Sequence, residues 1–308
     1  MYTIAVPDLI SNSYLPAVAA AELGYFERQG LDAAIELIFP VDRAYEALRD
    51  GRVDFVAGSA HSALAAFPEW QGVKLLCAQA QGMYWFLVMR RDLEGVRGDV
   101  SVVRGRTIGA APWVEMGLRR LLHASGIDVE RDKVKIAPVP GSLASGTNFG
   151  VTAAKALEDG KIDGFWANGM AAALAVRRGS GTVILDVRRG DGPKGCFNFT
   201  MASIATTDKV IRDSPAIAAA AVRGIVETQA ALRGNSDMAA KVGRRIFPEE
   251  EAELIGGLIE RDAPYYSAEI SREFVVGMNR FARDVGILRH DAPYESVVAV
   301  QFAPLWRG

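Results

Sequence analysis

Ala47-Leu48-Arg49-Asp50-Gly51-Arg52-Val53-Asp54-Phe55-Val56-Ala57-Gly58-Ser59-Ala60 returns later in the chain as Ala156-Leu157-Glu158-Asp159-Gly160-Lys161-Ile162-Asp163-Gly164-Phe165-Trp166-Ala167-Asn168-Gly169. Each copy reads as a helix end, a glycine stop, a short strand and a turn into another helix. Glycine just past a helix takes the left-handed conformation that ends it at little cost. Val53–Ala57 and Ile162–Ala167 are short and largely apolar, as buried parallel strands are. Two such units predict two similar α/β lobes, and two lobes make a cleft.

The 308 residues are 50% hydrophobic, enough to bury a full core and to divide into two domains. The net charge is −2 and there is no basic stripe, so nucleic acid is not expected as a partner. Three scattered histidines, His61, His123 and His290, do not suggest a metal site. Cys77 and Cys196 lie far apart and read as free buried thiols. The longest run of small apolar residues, Ala216–Val222, is far too short to span a membrane. The chain opens directly on a strand, Ile4–Val6, with no secretion signal ahead of it. Either the protein is cytoplasmic, or this is a mature chain whose leader has been replaced by methionine.

Strands and helices alternate through the first eighty or so residues at the spacing of a parallel sheet with crossover helices. Pro16–Glu27 and Asp42–Arg49 are predicted helices; Ala33–Phe39, Val53–Ala57 and Val73–Ala78 are strands, and His61–Ala66 is helical. Next come strands at Tyr84–Met89, Arg106–Ala110, Val134–Ala137 and Val183–Asp186. Helices are expected over Pro112–Ala124 and Thr152–Glu158, with Gly-rich loops at Gly141–Gly150 and Arg188–Gly195. Phe197–Ile204 is extended. The remainder is mostly helical: from an N-cap at Ser214 to about Leu232, from Pro248, and over Ser267–Val285, with Ile270, Phe274, Met278 and Phe281 forming a core face.

Tyr14-Leu15-Pro16, Glu22-Leu23-Gly24-Tyr25-Phe26, Gln29-Gly30-Leu31-Asp32 and the first repeat together resemble the type 2 periplasmic substrate-binding proteins of ABC transporters. The resemblance is to the NMT1/THI5-like branch that binds sulfonates, taurine, nitrate and thiamine precursors. It covers most of residues 1–205 and fades in the C-terminal helices. Arg104-Gly105-Arg106-Thr107-Ile108-Gly109 is similar to the start of that family's second lobe. The resemblance implies lobe one at 1–84 plus 202–308 and lobe two at 85–201. Each lobe would be a mostly parallel sheet flanked by helices. Hinge segments would fall near 84–88 and 197–201, and a ligand would be bound between the lobes.

In open α/β sheets ligands bind beyond the carboxyl ends of the strands, where helix N-termini present free N–H groups. Four segments qualify: Ser11–Tyr14, Gly58–His61, Ala111–Glu115 and Asn168–Met170. The candidates are Ser11, Asn12, Tyr14, Ser59, His61, Trp113, Glu115 and Asn168. Trp85 and Phe199 join them from the presumed hinge, with Gln79 and Gln81 as lesser candidates. Each has a plainer reading. Ser59 and Asn168 could only cap, Glu115 could answer the helix dipole, and Tyr14, Trp85 and Phe199 could be core.

The resemblance extends to yeast-type pyrimidine synthases of thiamine biosynthesis, enzymes that share this fold. Those hold pyridoxal phosphate through a lysine four residues before a histidine placed like His61; here that position is Ala57. Their cysteine-rich cluster is reduced here to Gly195-Cys196-Phe197-Asn198-Phe199. Both departures argue against that chemistry. No nucleophile elbow or P-loop is present, and Gly141–Gly146 lacks a phosphate-binding lysine.

The expectation is a solute-binding protein of an ABC importer that needs no cofactor. It would act as a monomer with no transmembrane segment and deliver one small molecule to a permease. The aromatic candidates, with an acidic residue and no arginine among them, favour a heterocycle such as a thiamine-precursor pyrimidine. An aliphatic sulfonate or nitrate-type anion is the runner-up. The alternatives are an enzyme on the same fold (a pyrimidine-synthase relative or an aromatic-acid decarboxylase) and a cytoplasmic ligand sensor.

Overall fold

The computed structural model describes residues 1–144 and 147–307. The expected loop at Gly141–Gly150 therefore includes Ser145 and Gly146, which lie outside the described residues. The chain separates into two units, Met1–Gly82 with Asn198–Gly308, and Met83–Phe197.

Unit one begins with β1 (Tyr2–Val6), α1 (Leu15–Glu22), α2 (Tyr25–Arg28), β2 (Ala33–Leu37), α3 (Val41–Arg49), β3 (Phe55–Ser59) and β4 (Val73–Ala80). Unit two holds β5 (Phe86–Arg90), β6 (Thr107–Ala110), α4 (Glu115–Ala124), β7 (Lys135–Ala137), α5 (Phe149–Glu158), β8 (Gly164–Ala167), α6 (Gly169–Arg177) and β9 (Gly181–Asp186). Unit one resumes with β10 (Ala202–Thr207), α7 (Asp208–Asp213), α8 (Pro215–Gly234), α9 (Asp237–Ile246), α10 (Glu249–Asp262), α11 (Arg272–Asp284) and α12 (Tyr294–Val297).

The two sheets share one design. Their strand orders are β2-β1-β3-β10-β4 and β7-β6-β8-β5-β9. In each, four strands run the same way, and one is antiparallel to both its neighbours. The antiparallel strand is the first after each crossing of the chain: β5 in unit two and β10 in unit one. The mostly parallel α/β architecture expected from the sequence is present in both.

The repeat works as its residues demand. Gly51 and Gly160 have φ of +70° and +68°. Beyond them, the Arg52 amide donates to the Ala47 carbonyl and the Lys161 amide to the Ala156 carbonyl, both at 2.9 Å. This is the same helix closure made twice. Ile4 and Ile108 then pair with Phe55 and Gly164, the equivalent positions of the repeat.

Local conformation moves several predicted boundaries. Gly24, at φ +74°, breaks the Pro16–Glu27 helix into α1 and α2. The helix predicted from Pro112 starts at Glu115, because Trp113 has φ +67°, outside the helical region. Asn148 caps α5 by accepting from the Val151 amide at 3.0 Å, so that helix begins at Phe149 instead of Thr152. Ser271 caps α11 in the same way, which leaves 267–271 outside the helix. Ser214 precedes α8 but its side chain caps nothing. The Phe197–Ile204 segment is extended only in its second half, since residues 194–198 form a short 3-10 turn.

Candidate functional site

In unit one the carboxyl ends of β1 and β3 bring residues 11–14 and 59–62 to one edge of the sheet. β10 runs the other way, and its first residue, Ala202, pairs with Ser59 and Ala80. Residues 199 and 200 therefore arrive at that same edge. His61 is fully buried there, with Nδ1 3.0 Å from Thr200 Oγ1. Its ring meets Phe281 edge-on at 5.4 Å, and Phe199 stacks on Phe281 at 4.6 Å. His61 and Phe199 are thus joined through a residue of α11 that sequence periodicity assigns to the core.

Ser59 is not a cap. Its Oγ lies 2.6 Å from Ser62 Oγ, and its carbonyl accepts from the Tyr45 hydroxyl at 3.0 Å. Ser11 and Asn12 are fully buried, and Tyr14 is nearly so. The Tyr14 amide closes the loop by donating to the Ser11 carbonyl at 3.1 Å. Asn12 Nδ2 donates to Asp262 Oδ2. Gln79 is structural: its Oε1 accepts from the Ala17 amide and its Nε2 donates to the Ser203 carbonyl, both at 3.2 Å. Gln81 Nε2 donates to the Ser267 and Glu269 carbonyls.

In unit two the corresponding edge collects the ends of β6, β8 and β9 and the start of β5. Phe86 pairs with both Ala167 and Asp186, which places Trp85, Asn168 and Arg188 at that edge. Trp85 tilts against Tyr84 at 5.0 Å and Trp166 at 6.2 Å. A Cβ on Gly117 would lie 3.3 Å from both the Trp85 ring and Met83 Sδ, so the first turns of α4 rest on Trp85 because residue 117 has no side chain.

Trp113 is half-buried in the turn that leads into α4, which is closed by the Val114 amide donating to the Ala111 carbonyl at 3.1 Å. A left-handed conformation costs a non-glycine residue about 1–3 kcal/mol, and such strain collects at functional sites. Glu115 stands in the first turn of α4, where the dipole favours a carboxylate. Asn168 does cap α6, accepting from the Ala171 amide at 3.0 Å. A Cβ on Gly150 would sit 3.5 Å from Asn168 Nδ2 and 3.3 Å from Asn148 Oδ1. The N-termini of α5 and α6 thus meet around two asparagines.

Sequence reasoning missed Arg188. It is 4% exposed and its guanidinium lies 5.7 Å from the Tyr84 ring centroid. The signal was available, since Asp186-Val187-Arg188 follows the carboxyl end of a strand. Asn148 and Phe281 were missed as well. Burial pushes the thiols of Cys77 and Cys196 up, that of Cys196 to about 12. Among the described residues, no cluster of three or more His, Cys, Asp or Glu could hold a metal ion. Among them too, no helix is long and apolar enough to cross a membrane.

The NMT1/THI5-like family model matches residues 11–239. The chain belongs to the NMT1/THI5-like family. No curated protein matches it. Among solved structures, a protein of Bordetella bronchiseptica RB50 is similar at TM-score 0.78 and 18% identity, over 98% of this chain and 95% of the other. SsuA of Methylobacillus flagellatus KT, described as a putative periplasmic sulfonate-binding protein of an ABC transporter, gives 0.68 and 17% over 98% and 92%. The periplasmic nitrate-binding protein NrtA of Synechocystis PCC 6803 gives 0.70 and 14% over 99% and 87%. The desulfurization enzyme DSZB has the same fold, at 0.65 and 13% over 99% and 98%. At these identities the likeness is one of fold, and the fold carries both binding proteins and an enzyme.

Proposed function

We propose that this NMT1/THI5-like protein is the solute-binding component of an ABC importer. It captures one small molecule between its two units, closes on it and presents it to a membrane permease. The location that goes with this role is the periplasm, and the acting form is a monomer. The observation that carries the reading is the pair of sheet edges. In each unit the strand ends gather aromatic rings and polar side chains, His61, Phe199 and Ser11–Tyr14 in one, Trp85, Trp113 and Asn168 in the other.

The favoured ligand is an aromatic heterocycle such as a thiamine-precursor pyrimidine. Trp113, Trp85, Tyr14, His61 and Phe199 would stack on it or enclose it, and Ser11, Asn12, Ser59, Glu115 and Asn168 would supply its hydrogen bonds. Arg188 favours a second reading, an aliphatic sulfonate or nitrate-type anion, because a nearly buried guanidinium is suited to binding oxyanions.

Binding is favoured over catalysis because Ala57 stands where the related synthases carry their lysine, and because the one thiol of the later crossing segment is held protonated by burial. The test incubates the protein with cytosine, ethanesulfonate and nitrate, then denatures it and analyses what is released. One ligand recovered unchanged, in proportion to protein, supports capture. A converted product supports the enzyme reading.

A further inference from the structure

Asn12 and Asp262 are 250 residues apart and both fully buried. Asp262 closes α10, and its Oδ2 accepts from Asn12 Nδ2. Its Oδ1 lies 3.5 Å from Arg261 Nε. Four residues on, the Tyr266 hydroxyl donates to the Asn12 carbonyl at 2.6 Å, and Arg233 donates to the Tyr266 carbonyl. One C-terminal segment therefore grips both the backbone and the side chain of Asn12.

A carboxylate only accepts hydrogen bonds, so the amide nitrogen of Asn12 must face Asp262 and its oxygen must face away. That oxygen, Asn12 Oδ1, is buried and has no hydrogen-bond partner among the described residues; nor has the neighbouring Ser11 Oγ. A buried polar atom left bare costs about 1–3 kcal/mol, so each of these two is suited to a hydrogen-bond partner from outside the chain, a water or a ligand. Both residues lie beyond the carboxyl end of β1, on the loop leading into α1. Sulfonate and nitrate oxygens are acceptors, and an acceptor set against Asn12 Oδ1 is repelled.

We propose that Asp262 is a positioning residue that fixes Asn12 as an acceptor, so that the captured molecule must present an N–H or O–H donor to it. The inference rests on the solute-binding reading and narrows its ligand class to donor-bearing molecules, an aminopyrimidine among them. An oxyanion held by Arg188 alone would not satisfy the site.

Two measurements test this separately from the binding role. The first needs no ligand: the side-chain amide protons of Asn12, observed by NMR in the unmodified protein and in Asp262→Asn. The expected result is a pair protected from solvent exchange in the unmodified protein and exposed or shifted in the variant. A freely exchanging pair, or one unchanged in the variant, overturns the proposal. The second compares benzenesulfonamide with benzenesulfonate, which are alike in shape but differ in N–H donors, and adds cytosine. Calorimetry should show the sulfonamide binding about tenfold or more tightly than the sulfonate, as expected when a buried polar group goes unmatched. In Asp262→Asn the amide of Asn12 is free to turn, and the preference should shrink by most of that factor. Tighter sulfonate binding by the unmodified protein, or an unchanged preference in the variant, overturns the proposal. If none of the three binds, the capture reading fails while the NMR result still decides the role of Asp262.

Discussion

Asp54 and Asp163 make the same clip in the two units. Asp54 Oδ2 accepts from the Thr3 amide at 2.8 Å, and the Asp54 amide donates to the Thr3 carbonyl at 2.9 Å. Asp163 repeats both bonds with Thr107, each at 2.9 Å. The aspartate of the repeat is therefore a structural residue that locks the start of β1 or β6 to the start of the neighbouring strand. Asp54→Ala and Asp163→Ala should each destabilise the protein by about 1–3 kcal/mol, the cost of stranding a partly buried amide. Urea unfolding measures this, and midpoints equal to that of the unmodified protein would contradict the clip.

Phe55 and Gly164 hold the same place in the repeat, yet only one has a side chain. A Cβ on Gly164 would lie 2.8 Å from the Val88 carbonyl oxygen and 2.4 Å from Met89 Sδ on β5. Gly164→Ala should destabilise by about 1–3 kcal/mol through overpacking of the β5–β8 pairing. Thermal unfolding with an unchanged midpoint would show that β5 can shift at no cost.

Trp113 joins backbone strain to an aromatic ring. Trp113→Gly removes both, whereas Trp113→Ala removes only the ring. The glycine variant should be the more stable of the two by about 1 kcal/mol. Both should weaken ligand binding by roughly 1–3 kcal/mol if the ring stacks on the ligand. Calorimetry showing unchanged affinity in both would remove Trp113 from the site.

The Cys196 thiol titrates near 12 in the folded chain, above its ordinary 9.0, because burial disfavours the thiolate. Between those two values the unfolded chain has lost the proton that the folded chain still holds. Stability attributable to this group is therefore complete below about pH 9 and declines as pH rises through 12. Cys196→Ala should flatten that decline, and alkylation of Cys196 in the folded protein should stay slow at neutral pH. Rapid modification by iodoacetamide at pH 7, read by mass spectrometry, would contradict the burial.

The parts of the fold legible in the sequence were those written locally. Gly51 and Gly160 announce helix ends, and Val53–Ala57 and Ile162–Ala167 announce buried strands to within two residues. Helix α9 escaped notice, although Asn235 Oδ1 accepts from the Asp237 amide at 2.9 Å at its start and Pro248 follows its end. So did the role of β10, which becomes a central antiparallel strand only through pairing with β3 and β4, more than a hundred residues away in sequence. Eight of the ten candidate residues follow strands, with Trp85 and Phe199 added from the presumed hinge, and the strand-end rule applied once more reaches Arg188. Partnerships were beyond it. Nothing local links Asn12 to Asp262, or His61 to Thr200 and Phe281.

Native mass spectrometry of the protein as purified bears most directly on the claim that this chain captures and delivers a small molecule. One small organic molecule should be bound per chain, released unchanged on denaturation and carrying an N–H or O–H donor. A chain that holds nothing, and that takes up neither pyrimidines nor oxyanions when they are supplied in excess, would contradict that claim.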